Sequence, residues 1–183
     1  IKLLAIARRG EGGIEQRVHP CMVPLHTPIA HVDGVFNAVV AEGDFVDQTV
    51  YEGRGAGAGP TASAVAADLV DIARGLTMAP FAVAASDLQD VPTLPMDDHE
   101  GPVYVRLMVL DQPGVMADVA AILRDENVSI ESVLQRGRSP GEVVPVILIL
   151  HDAREGAMKR VLVSLEAMAP VVEPPRMIRI ELL

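Results

Sequence analysis

An α+β fold in two parts is predicted by three observations. The second half of the chain spells β-α-β-β-α-β in its hydropathy pattern. A Pro- and Asp-containing stretch, Gly75 to Gly101, separates it from the first half. The first half shows strand-like runs that end in a glycine-rich turn and one helix.

In the second half, Val103–Leu110 alternates as a strand, and Asp111-Gln112-Pro113-Gly114 follows as a turn. Val115, Val119, Ile122 and Leu123 then fall on one face of a helix that Asn127 ends. Val128–Gln135 is a strand, Gly137-Arg138-Ser139-Pro140-Gly141 a turn, and Val143–Leu150 a buried strand. Met158, Val161, Leu162 and Leu165 mark a second helix, and Met177–Leu182 a last strand. This order is the ferredoxin-like split βαβ arrangement, in which both helices cover one sheet face.

The first half opens with strands at Ile1–Arg9, Ile14–Pro24 and Val39–Glu52. The turn Gly53-Arg54-Gly55-Ala56-Gly57-Ala58-Gly59-Pro60 comes next, and a helix begins near Pro60 with Ala62, Val65, Ala66, Leu69 and Ala73 on its apolar face. These strands lack a full core of their own. With Ile1 already inside an apolar run, the sequence reads as a piece of a longer protein.

Composition excludes several function classes. The 183 residues are 50% hydrophobic and contain no Trp, two Tyr and three Phe, so the core is aliphatic. A formal net charge of −10 argues against nucleic acid, which demands clustered Lys and Arg. The longest clean apolar run, Val143–Leu150, is too short to span a bilayer, and no secretory leader pattern is visible. Cys21 is the single cysteine, which forbids an internal disulfide and suits a reducing, cytoplasmic setting. Among the five histidines only His26 and His31 are close in sequence, and they lack companions at zinc spacing, so no metal site is expected.

The glycine turn matches neither a P-loop nor G-x-G-x-x-G. Glycines let a ligand approach bare backbone, and a following helix offers free N–H groups. Spacing alone leaves ligand contact and a tight strand-to-helix connection both open.

Several separated segments then agree in order. His26-Thr27-Pro28-Ile29-Ala30, Val35-Phe36-Asn37-Ala38-Val39 and Gly55-Ala56-Gly57-Ala58-Gly59-Pro60-Thr61-Ala62-Ser63-Ala64-Val65, with Asp68-Leu69, closely resemble the homoserine dehydrogenase family. The resemblance covers about the first 75 residues; Glu52-Gly53-Arg54 departs from the family pattern. It implies the tail of the catalytic and dimerisation domain, a mixed sheet with helices, over 1–78, then a linker at 79–101. It also implies that Gly57, with Gly55, Ala56 and Thr61 nearby, contacts the nicotinamide end of the cofactor.

Residues Val103–Leu183 resemble an ACT domain, carried by Asp111-Gln112-Pro113-Gly114-Val115, Asn127-Val128-Ser129-Ile130 and Gln135. This sets the expected regulatory domain at 102–183. Asp111, Gly114, Val115, Asn127 and Gln135 are the implied contacts of a small amino-acid effector. Threonine is the effector the pathway implies.

The whole enzyme is thus expected to interconvert L-aspartate 4-semialdehyde and L-homoserine with NAD(P), on the route to threonine, methionine and isoleucine, as a dimer or tetramer. The family's catalytic lysine lies in a segment not found here. Lys2 and Lys159 are the only lysines, and neither falls in a matching context. No catalytic residue is therefore assigned to this chain, no cofactor is expected to bind it tightly, and it is expected to be inactive alone. The competing reading is a non-enzymatic, amino-acid-binding ACT regulator.

Overall fold

The computed structural model describes residues 1–76, 78, 81–135 and 141–183. The turn expected at residues 137–141 falls largely outside these. Two compact units form, one from Ile1–Pro24 with Pro92–Leu183 and the other from Leu25–Val91.

The first unit is built on a six-stranded sheet. Its strands are β1 (Lys2–Gly10), β2 (Gly13–Met22), β5 (Glu100–Leu110), β6 (Ile130–Gln135), β7 (Val143–Arg154) and β8 (Arg176–Ile180), in the order β1-β2-β8-β5-β7-β6. Helices α2 (Val115–Asp125) and α3 (Glu155–Glu166) complete β-α-β-β-α-β from β5 to β8. The expected ferredoxin-like order is therefore present.

The sequence pattern explains the core. Val103, Val105, Leu107 and Val109 of β5 alternate inward, and Val144, Val146, Leu148 and Leu150 of β7 do the same beside them. Val115, Val119 and Leu123 of α2 meet Met158, Val161 and Leu165 of α3 over this face in one cluster. Each fully buried Val or Leu contributes about 1.5–3 kcal/mol, so this cluster is the main source of the unit's stability. Asn127 adopts φ 57 just past α2, and Val128 N–H donates to the Leu123 carbonyl. That is a left-handed helix stop, a conformation asparagine tolerates better than most residues.

The packing divides the chain differently from the expected split at 78 and 101. Strands β1 and β2 extend the sheet of the second half, because β2 runs parallel to β8 through Cys21↔Arg179 and Met22↔Ile180. The Glu181 N–H donates to the Met22 carbonyl at 2.9 Å, which prolongs that pairing. Part of the expected linker is also anchored. Leu94 N–H donates to the Ile14 carbonyl, and Ile14 N–H to the Pro92 carbonyl, each at 2.9 Å. Glu155 N–H donates to the His99 carbonyl at 2.8 Å.

Strand β2 inverts the usual alternation. Val18 is exposed, whereas Arg17 and Cys21 are buried and His19 nearly so. Its inner face is thus a polar layer, described below.

The second unit holds a hairpin of β3 (Phe36–Gly43) and β4 (Asp47–Arg54), then α1 (Ala58–Ala73). The expected long strand Val39–Glu52 is in fact this hairpin, which reverses at Asp44 to Val46 between the two strands. Helix α1 begins at Ala58, two residues before Pro60, and none of its residues is buried. No helix among the described residues is long and apolar enough to cross a membrane.

Candidate functional site

The glycine turn lies between β4 and α1 in the second unit. Gly55 N–H donates to the Val35 carbonyl at 2.9 Å, which ties the end of β4 to the entry of β3. Gly57 is the residue before α1 and takes φ 123, ψ 150, a combination essentially reserved for glycine. Thr61 N–H donates to the Gly57 carbonyl at 3.1 Å and closes the first helical turn. Gly55, Ala56, Gly57 and Thr61 are all exposed, so the structure brings the four expected cofactor contacts together on one open corner. The first N–H groups of a helix have no acceptor within it, which leaves the positive end of α1 facing this corner.

Asn37 belongs to the same corner, although sequence reasoning did not single it out. A Cβ on Gly55 would collide with the Asn37 side-chain amide. Asn37 pairs with Gly53 across the hairpin, and that register, which the sequence does not display, sets it there. Arg54, the departure from the family pattern, stacks its guanidinium over the Phe36 ring at 5.4 Å. It is held by its cross-strand partner.

The second candidate site lies at the β5–α2 turn of the first unit. Asp111 N–H donates to the Glu142 carbonyl at 2.8 Å, and the Asp111 carbonyl accepts from Gly141 N–H at 3.1 Å. Gly114 takes a left-handed φ of 96 and precedes α2; its carbonyl accepts from the N–H groups of Ala117 and Asp118. Around this turn Leu110, Asp111, Gln112, Val115, Met116 and Gln135 line a niche of about 40 Å³. Asp111, Val115 and Gln135 are thereby gathered as expected, with Gly114 beside them. Asn127 is not among them. It stands beyond the far end of α2, about 16 Å along an 11-residue helix at 1.5 Å per residue. It lines a separate shallow groove there with Arg124, Ser129 and Ile130.

The inner face of β2 carries a third cluster. Arg17 Nη2 donates to both Glu181 oxygens, at 2.8 and 2.9 Å, and Arg17 also pairs with Glu15. Arg179 Nε donates to Glu155 Oε2 at 2.8 Å. His99 Nδ1 lies 2.7 Å from Glu15 Oε1, and His19 Nε2 lies 3.8 Å from Glu181 Oε1. Burial, and then the nearby guanidiniums, hold both imidazoles below the ordinary histidine range. Burial, and then Glu181, push the Cys21 thiol up to about 11. A thiol so placed is a poor nucleophile. His31, by contrast, places Nε2 2.7 Å from the Leu25 carbonyl, a local structural contact.

Residues 1–70 match the homoserine dehydrogenase family model, and residues 103–167 match the ACT domain model. Homoserine dehydrogenase of Pseudomonas aeruginosa is 43% identical over 99% of this chain, and that of Neisseria gonorrhoeae 40% identical over 99%. The chain spans 43% of the length of each. The crystal structure of a homoserine dehydrogenase from Thiobacillus denitrificans superposes with a TM-score of 0.86 at 42% identity, covering 99% of this chain and 42% of that one. The chain therefore carries a segment matching the homoserine dehydrogenase family, residues 1–70, followed by an ACT domain, residues 103–167.

Proposed function

We propose that the complete protein interconverts L-aspartate 4-semialdehyde and L-homoserine, and that this chain supplies one wall of its active site plus a sensor. The observation that carries this reading is the glycine corner at Gly55–Gly57, which lies inside the stretch matching homoserine dehydrogenases. The corner fits a nicotinamide cofactor, NAD or NADP, because it is exposed, lacks side chains at Gly55 and Gly57, and sits at a helix N-terminus. When bound, the cofactor supplies or receives the hydride. Gly57 keeps the corner bare at a backbone angle other residues avoid, and Gly55 leaves room for the Asn37 amide. In functional terms the division falls at 1–78 for the catalytic segment, 79–101 for the connection and 102–183 for the sensor.

The 183-residue chain contains no dinucleotide fingerprint and no lysine in the family's catalytic context. Assayed alone for homoserine-dependent reduction of NAD(P)⁺, it should give no turnover. A rate comparable to that of an intact homoserine dehydrogenase would overturn the assignment of its parts.

The ACT domain is read as the sensor, with a small amino acid, L-threonine, as effector. The α2 N-terminus faces the carboxylate, and Asp111 and Gln135 flank the niche. At about 40 Å³ the niche cannot enclose an amino acid. A second copy of the domain would complete it, which agrees with a homo-oligomeric enzyme, dimer or tetramer. Asn127 would then reach an effector only from that second copy.

Gly114→Asp tests the sensor. A Cβ there meets nothing within 4 Å, so the fold should survive the left-handed strain, about 1–2 kcal/mol for a non-glycine residue. Calorimetry with L-threonine, methionine, isoleucine and lysine should show threonine binding to the parent chain and none to the variant. If no amino acid binds the parent at millimolar concentration, the domain is a pairing module.

A further inference from the structure

The polar face of β2 contains a convergence that neither the dehydrogenase reading nor the sensor uses. His19 and Cys21 stand two residues apart on one strand, so their side chains share a face. The β2–β8 pairing brings Glu181, just past β8, against the same face. His19 Nε2, Cys21 Sγ and a Glu181 carboxylate oxygen lie within 4.8 Å of one another. From these donors we propose that His19, Cys21 and Glu181 form a binding site for a thiophilic divalent transition metal of the zinc class, clamping β2 to β8.

Three observations support the site. The donor set of one imidazole, one thiolate and one carboxylate is that of zinc proteins, in which bonds of about 2.0–2.3 Å set donors about 3.5 Å apart. The side chains therefore need to close by little more than 1 Å. Next, His19 Nε2 is buried and has no hydrogen-bond partner among the described residues, Glu181 Oε1 standing 3.8 Å away, an arrangement that is costly unless something bridges the gap. Last, the cluster carries excess negative charge. Glu15, Glu155 and Glu181 face Arg17 and Arg179, three carboxylates against two guanidiniums. A divalent ion that displaces the thiol proton brings the group to neutrality.

Glu181 already accepts from Arg17 through both oxygens. A carboxylate offers about four lone-pair sites, so coordination does not require breaking that pair. The two guanidiniums oppose a cation, but each is matched by a carboxylate. Three protein ligands leave a fourth position for water. The His19 ring, 11% exposed, supplies the approach.

The single cysteine makes the test unambiguous, because a sulfur-to-cobalt charge-transfer band can come only from Cys21. The reduced, metal-free 183-residue chain is titrated with Co²⁺ and then with Zn²⁺. One equivalent of Co²⁺ should produce that band together with tetrahedral d–d bands, and one equivalent of Zn²⁺ should remove both and raise the melting temperature. His19→Gln should weaken Co²⁺ binding at least about tenfold, the loss of one 1.4 kcal/mol step. Cys21→Ser should abolish the band, and His26→Gln should change nothing. A parent chain without the charge-transfer band at stoichiometric cobalt overturns the site, even if cobalt binds elsewhere. So does a His19→Gln variant that keeps full affinity. Both readouts stand whether or not the buried Cys21→Ser variant folds.

Discussion

On the proposed function, Gly57→Ala in the complete protein should lower kcat/KM for homoserine oxidation by about 10- to 100-fold. The cause is backbone strain. At φ 123 and ψ 150 a side chain costs about 1–3 kcal/mol, and each 1.4 kcal/mol is a factor of ten. Overlap is not the cause, because the new Cβ would meet Pro60 Cδ at 3.4 Å, an ordinary contact. The turn would relieve the strain by rotating away from the cofactor, so KM for the cofactor should rise along with the fall in kcat. Gly55→Ala should cost less and for a different reason, since its Cβ meets the Asn37 amide, the exposed end of a side chain that can turn aside. Removing that amide in a Gly55→Ala/Asn37→Ala double variant should therefore recover activity. Asn37→Ala should rescue nothing in the Gly57→Ala background. Steady-state kinetics on the four variants decide the matter. Equal rescue of both glycine variants would mean that the corner is held by packing and not by its backbone angles.

The contrast between the two glycines shows what the sequence could reveal. Gly57 was singled out by the family resemblance, while the local pattern showed only a glycine-rich turn before a helix. Asn37 was not, because its closeness to Gly55 depends on the hairpin register, and the run Val39–Glu52 conceals its own reversal at Asp44–Val46. The β-α-β-β-α-β half was readable almost throughout. Its strands β5 and β7 alternate, and its helices repeat at i, i+4 and i+8, because each buries one face against one core. Asn127 was legible as a helix stop, but its distance from the β5–α2 turn was not, because that depends on the length of α2. The polar face of β2 was invisible. Glu15, Arg17 and His19 carry no sequence signal of burial, and the pairing of β2 with the distant β8 is what brings Glu181 to them.

That inward polar face leads to the second large effect. Arg17→Met should destabilise the first unit by about 3–5 kcal/mol, the range seen when one member of a buried ion pair is removed. Arg17 is 6% exposed and Glu181 4%, so water cannot replace the lost partner. The substitution also strips Glu15 of its guanidinium. Glu181→Leu should cost less, because Arg17 retains Glu15. The double variant Arg17→Met/Glu181→Leu should recover part of the loss, since no carboxylate at position 181 then remains buried without a countercharge. Tyr51 and Tyr104 are the only tyrosines, one in each unit, and there is no Trp. In a Tyr51→Phe background, tyrosine fluorescence therefore reports on the first unit alone. Urea unfolding followed by that signal should rank the variants as parent, Glu181→Leu, double variant or its near equal, then Arg17→Met. Their separation should change little with salt, because buried pairs are weakly screened. A loss below about 1 kcal/mol for Arg17→Met, the scale of an exposed pair, would mean that the β2–β8 junction opens to water and that the hairpin β1–β2 is held by its backbone pairing alone.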